Sequence, residues 1–175
     1  ISLLVVSPNN PTGSYVSARE VERLSQFCRD RDWALVSDEV FADYPLEVTR
    51  PFTDIAARSE VLAFTLGGLS KSVGLPQVKL GWMAVGGPPA DRDRALRALE
   101  LIADSFLSVG TPVQVAAAEL LIRAAPVRAA IHDRVRRNLA TARRKVAAVP
   151  ACELLTVEAR SEEHTSELQS RETIS

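Results

Sequence analysis

Aromatic residues make up only 5% of this 175-residue chain, cysteine occurs twice, and 21 lysines and arginines nearly cancel 22 acids, for a net charge of −1. That balance removes any general electrostatic attraction to nucleic acid or to anionic membranes. Cys28 and Cys152 stand far apart and lack the spacing of a metal site, so both are expected to be reduced, small hydrophobic side chains in a cytoplasmic setting. No apolar run approaches bilayer length, and no basic start with an apolar centre marks a signal peptide. Internal repeats and low-complexity segments are absent as well.

What is present is a hydrophobic content of 46%, enough at this length for one sizeable core, so a soluble globular domain is expected. Ile1 opens in the middle of a strand-like run, which reads as the start of an internal fragment. At the other end, residues 160–175 contain only Leu168 and Ile174 as large aliphatics and show no regular period, as in a disordered tail. Within it "RSEEHTSELQS", Arg160 to Ser170, resembles the translation of a common sequencing adapter. On that reading the tail is non-native, and Glu162, Glu163 and His164 form neither a metal site nor an acid/base cluster.

Between these ends the order of elements points to an α/β fold. Residues 3–6 read as a buried strand, and the S-x-x-E pattern of Ser17 and Glu20 opens a helix running to about Arg31. Short apolar strands are expected at 33–37, at 61–65 (closed by Gly67 and Gly68) and at 79–85, with a loop carrying Pro45 and Pro51 between. Apolar strands separated by crossover connections indicate a mostly parallel sheet. Helices follow at 90–104, 111–124 and 127–148, with Pro112 in a first turn and Pro126 and Pro150 as separators, and a further strand is expected at 152–157. The last helix carries Arg128, Arg134, Arg136, Arg137, Arg143, Arg144 and Lys145 against Asp133, and reads as a solvated face because no aromatics interleave with its charges.

In open α/β sheets, ligands gather outside the carboxyl ends of the strands. Three expected strands end there in a polar group: Asn10 within "SPNNPTG", then Asp38, then Lys71. Each has a plain alternative, since proline, asparagine and glycine also make ordinary turns, Asp38 could cap, and Lys71 could be a solvated cation. Together they suit one chemistry. A lysine amine forms an imine with an aldehyde when a neighbouring cation such as Lys79 or burial favours its neutral form, and an aspartate beside a ring nitrogen stabilises the protonated ring. Pyridoxal phosphate needs both, with an amide for its phenolic oxygen and a cation for its phosphate.

"SPNNPTG", "SDEVFADY" and "GGLSKSVGLPQVKLGW", in this order, resemble the fold-type I pyridoxal phosphate enzymes, specifically class I/II aminotransferases. The resemblance runs from Ile1 to about Ala159 and implies a three-layer, mostly parallel sheet: part of the large domain over 1–125, and a connecting helix leading to a small domain over 126–159. It implies that Lys71 is the catalytic Schiff-base lysine, Asp38 the partner of the pyridine nitrogen and Asn10 the donor to the phenolic oxygen, with a cis Asn10–Pro11 bond. Val40 would pack on the ring. Amino-acid and 2-oxo acid substrates, pyridoxal 5'-phosphate and a cytoplasmic homodimer are implied, without nucleic acid or membrane partners.

Three positions depart from the family pattern. Phe41 stands where many relatives have a tyrosine that contacts the phenolic oxygen, with Tyr44 further along. Lys79 replaces a phosphate-binding arginine, offering a point charge in place of a fork. Gly68 replaces a phosphate-binding serine, leaving Ser70 as the nearest hydroxyl. The phosphate loop and the substrate-carboxylate arginine of relatives lie outside this segment, so the chain alone is expected to have little activity. A carbon-sulfur lyase or decarboxylase of the same fold would keep Lys71, Asp38 and Asn10, and the effector domain of a transcription regulator would bind the same cofactor.

Overall fold

The computed structural model describes residues 1–47, 54–58, 60–106 and 108–159. The expected tail at 160–175 and Pro51 lie outside the described residues.

Within them the chain alternates β1 (Ser2–Val6), α1 (Ala18–Arg29), β2 (Ala34–Asp38), a short α2 (Ile55–Arg58), β3 (Ala63–Gly68), a single turn α3 (Leu69–Ser72) and β4 (Gly81–Gly86). Three longer helices follow: α4 (Pro89–Asp104), α5 (Thr111–Arg123) and α6 (Ala125–Ala147). The strands form one sheet in the order β1-β2-β3-β4. β1, β2 and β3 run parallel, whereas β4 returns antiparallel to β3. The mostly parallel α/β sheet expected from the apolar runs is therefore present.

Local chemistry explains most boundaries. Ser17 accepts the Glu20 backbone N–H while the Glu20 carboxylate accepts that of Ser17, so the expected capping box starts α1. Its buried face, Val21 and Cys28, packs with Leu35, Ile55, Val61 and Ala63 in the main core. Pro126, expected as a separator, sits in the first turn of α6, where its missing N–H costs nothing. A second core of Leu69, Val73 and Ala124 holds the end of β3 and α3 against the end of α5. Burying a leucine such as Leu69 stabilises by about 1.5–3 kcal/mol, which is how this cluster fixes the turn carrying Lys71.

Two expectations are corrected. The third strand, expected at 61–65, runs from Ala63 to Gly68, so the glycines that close it are also paired within it, Gly67 opposite Trp82 and Gly68 opposite Gly81. The cause is packing, since a Cβ on Gly67 would fall 2.4 Å from the Trp82 indole nitrogen. Residues 152–157 do not form a strand. Among the described residues the chain there makes a bridge only at Ala159, opposite Pro45, and Glu158 and Ala159 instead donate their N–H groups to the Gly13 carbonyl at 3.1 and 2.9 Å.

Candidate active site

The parallel strands deliver their carboxyl ends side by side. Val6 lies opposite Asp38 and Asp38 opposite Leu66, so the loops leaving β1, β2 and β3 begin at one edge. The Ser7 N–H, donating to the Asp38 carbonyl at 2.9 Å, continues the ladder past β1.

Asn10 stands in the first of these loops. The Asn9 N–H donates to the Ser14 carbonyl at 2.9 Å, the Gly13 N–H to the Asn9 carbonyl at 2.6 Å, and the Asn9 amide to the Thr12 hydroxyl at 2.9 Å. The buried Ser7 hydroxyl accepts the Val16 N–H at 3.0 Å. Ser7–Pro8 and Asn10–Pro11 are both cis. The adjacent asparagines thus divide the work: Asn9 knits the loop, while the Asn10 side chain is exposed and makes no hydrogen bond among the described residues. Such an amide is available to a ligand.

Asp38 ends β2, half-buried, with its Oδ1 accepting the Val40 N–H at 3.2 Å. Its Oδ2 makes no hydrogen bond among the described residues and can accept one from a protonated ring nitrogen. Val40 is half-buried beside it, and Phe41 is buried. Lys71, on α3, is half-buried with its Nζ 5.5 Å from the centroid of the Phe41 ring. The loop after β2 and the turn after β3 therefore meet at Phe41 and Lys71.

The remaining expected residues are placed less centrally. Ser70 is half-buried beside Lys71. Lys79 is exposed at the end of a short 3-10 turn (Pro76–Val78), in the left-handed region at φ 55°. Tyr44 does not stand in for the hydroxyl that Phe41 lacks. It is fully buried, its hydroxyl donates to the Ser72 carbonyl at 2.7 Å, and burial pushes its pKa up to about 12.

Sequence reasoning missed Glu39, which alternation puts on the sheet face opposite Asp38. It lines an open pocket of about 460 Å³ with Thr65, Ala84 and Arg92 among others. Burial pushes its carboxyl up to about 7, and Asp54 and Asp38 add to the rise. The nearby Ser37 hydroxyl and the Ile55 backbone pull the other way, and since neither the Ser37 hydroxyl nor Glu39 Oε1 has a hydrogen-bond partner among the described residues, burial dominates. A strictly alternating reading through "VSDEV" would have flagged it. Among the described residues no group of His, Cys, Asp and Glu could hold a metal ion, and no helix is long and apolar enough to cross a membrane.

An α/β sheet with an amide, a carboxylate and a lysine at adjacent strand ends is the architecture of fold-type I pyridoxal phosphate enzymes. The chain belongs to the family of class I and II aminotransferases, whose model matches residues 1–161. It is 26% identical over 113 residues to alanine aminotransferase from Mycobacterium tuberculosis, covering 65% of this chain and 26% of that protein. It is also 26% identical over 127 residues to the S-alkyl-thiohydroximate lyase of Arabidopsis thaliana, covering 71% of this chain and 27% of that one. The fold matches the solved alanine aminotransferase from Pyrococcus furiosus with a TM-score of 0.79 and 19% identity, over 90% of this chain and 40% of that structure. The chain thus spans about a quarter of the length of the curated relatives it matches.

Proposed function

We propose that the protein containing this chain is a pyridoxal 5'-phosphate-dependent aminotransferase that moves an amino group between an amino acid and a 2-oxo acid. The observation that carries this reading is the convergence of the loops after β1, β2 and β3, bearing Asn10, Asp38 and Lys71, in a class I/II family chain. On the same reading residues 1–125 are the central part of the large domain and 126–159 lead towards a small domain, in a cytoplasmic homodimer.

The donor set fits the cofactor. When bound, pyridoxal phosphate supplies an aldehyde carbon and an electron-accepting ring. Lys71 Nζ holds the aldehyde end and afterwards carries a proton to and from the substrate α-carbon. Asp38 Oδ2 keeps the ring nitrogen protonated, because an opposite charge at hydrogen-bond distance favours the charged form. The Asn10 amide donates to the phenolic oxygen, Val40 and Phe41 provide apolar surface that excludes water, and Ser70 and Lys79 hold the phosphate as hydroxyl and point charge. Phe41 offers no hydroxyl, so Asn10 carries the phenolic oxygen without that second donor.

A second reading is elimination at a carbon-sulfur bond, supported by the 26% identity over 127 residues to the plant lyase. It uses the same Lys71, Asp38 and Asn10. The test is Lys71→Ala in the complete protein. Both readings require loss of the absorbance of lysine-bound cofactor and of borohydride-trapped label on the Lys71 peptide; an unchanged band removes Lys71 from the role. Product analysis of the unmodified protein then separates them, since amino transfer yields a new amino acid and elimination does not.

A further inference from the structure

The turn bearing Lys71 is gripped from two sides. Leu69 and Val73 sink into the second core on one side. On the other, consecutive residues of the loop after β2 reach across: the Tyr44 hydroxyl donates to the Ser72 carbonyl at 2.7 Å, and the Asp43 carboxylate accepts the Ser72 hydroxyl. Ser72 ends α3, so its carbonyl lies among those with no partner inside the helix, and Tyr44 satisfies it. Tyr44 is fully buried and Ser72 is 4% exposed, which keeps water from competing for the Tyr44 bond, while the Asp43 carboxylate reaches Ser72 from an exposed residue. An aromatic side chain has few rotatable bonds, so Tyr44 acts as a strut of fixed length.

We propose that Asp43 and Tyr44 are positioning residues: through Ser72 they set the distance between the lysine of α3 and the strand end bearing Asp38. This rests on Lys71 being the cofactor lysine, as proposed above. The Tyr44 hydroxyl in this loop serves the backbone of the residue next to the lysine, Ser72, while the ring that meets the lysine itself, Phe41, has no hydroxyl. Removing the strut frees α3 to shift, and misplacement of a reacting group by about 1 Å costs on the order of a hundredfold in rate.

The experiment titrates pyridoxal 5'-phosphate into the complete protein and measures the borohydride-trapped adduct on the Lys71 peptide, alongside thermal midpoints. The variants are Tyr44→Phe, Asp43→Ala, Asp43→Asn and Tyr15→Phe. Tyr15 is the control, a buried tyrosine whose hydroxyl donates to the Ala42 carbonyl of the same loop at 3.3 Å. Tyr44→Phe and Asp43→Ala are expected to weaken adduct formation at Lys71 about tenfold and to shift its absorbance profile with pH. Asp43→Asn, which keeps an acceptor, restores most of the affinity, and Tyr15→Phe lowers the midpoint with affinity unchanged. Equal affinity in Tyr44→Phe and the unmodified protein, or an equal loss in Tyr15→Phe, overturns the proposal. An adduct missing from Lys71 in the unmodified protein sinks the cofactor reading itself, and the proposal with it. Should Tyr44→Phe fail to fold, the Asp43 pair decides.

Discussion

The Glu158 carboxylate accepts the Tyr15 backbone N–H at 2.9 Å, across 143 residues of sequence. Both residues are buried, and the Glu158 carbonyl also accepts the N–H groups of Leu46 and Glu47 at 2.8 and 3.2 Å. One residue thus ties the loop bearing Asn10 to the loop that follows Tyr44. Replacing Glu158 by alanine strands a buried N–H and is expected to cost about 1–3 kcal/mol, whereas Glu158→Gln keeps an acceptor and costs less. Urea unfolding of the two variants measures the difference, and equal losses would assign the effect to charge.

Gly13 faces the same stitch. Its φ is +71°, and a Cβ there would lie 2.5 Å from Val157 Cγ1 and 2.7 Å from the Ala159 carbonyl oxygen. Gly13→Ala therefore adds a clash to a left-handed conformation that alone costs about 1–2 kcal/mol. A loss of at least about 2 kcal/mol in unfolding free energy is expected. A loss below about 0.5 kcal/mol would mean that residues 157–159 do not pack here in solution.

Glu39 gives the chain a pH signature of its own. Its folded pKa is raised from 4.5 to about 7, so between those values the folded state binds the extra proton. Stability contributed by this group is thus highest in acid and falls as pH rises towards 7. The side chain is partly hydrated, so the difference is on the order of 1 kcal/mol. Glu39→Gln is expected to leave stability at pH 4.5 unchanged, raise it at pH 8, and flatten the slope between. Guanidinium unfolding across that range is the check, and a slope that survives the substitution would locate the titration elsewhere.

The contrast between Asn10 and Tyr44 measures how far the sequence could be read. The placement of Asn10, Asp38 and Lys71 at neighbouring strand ends was legible because each follows an apolar run, and the runs are what place strand ends together. The antiparallel turn of β4 was not, because its pairing depends on Trp82 lying over Gly67, a contact that no local period encodes. Tyr44 and Asp43 act on Ser72 across a loop, and Glu158 acts on Tyr15 from the far end of the chain. Polar bonds between distant segments leave no periodic trace, so a strand was expected at 152–157 where hydrogen bonds to two loops hold the backbone instead.

At Lys79 backbone strain and a proposed role meet in one residue. At φ 55° it occupies a conformation that glycine and asparagine adopt far more readily than lysine. If stability alone governed the position, Lys79→Asn would be an improvement, expected to raise the unfolding free energy by about 0.5–1 kcal/mol. Yet the proposed function uses the ammonium as the point charge opposite a phosphate, and an amide cannot replace that charge. The two effects therefore run in opposite directions. In the complete protein, Lys79→Asn should melt at the same temperature or higher while its affinity for pyridoxal 5'-phosphate falls about tenfold. Affinity for pyridoxal, which lacks the phosphate, should stay unchanged. An equal loss for both compounds would show that Lys79 shapes the site without binding phosphate, and no loss for either would move the phosphate contact to another cation.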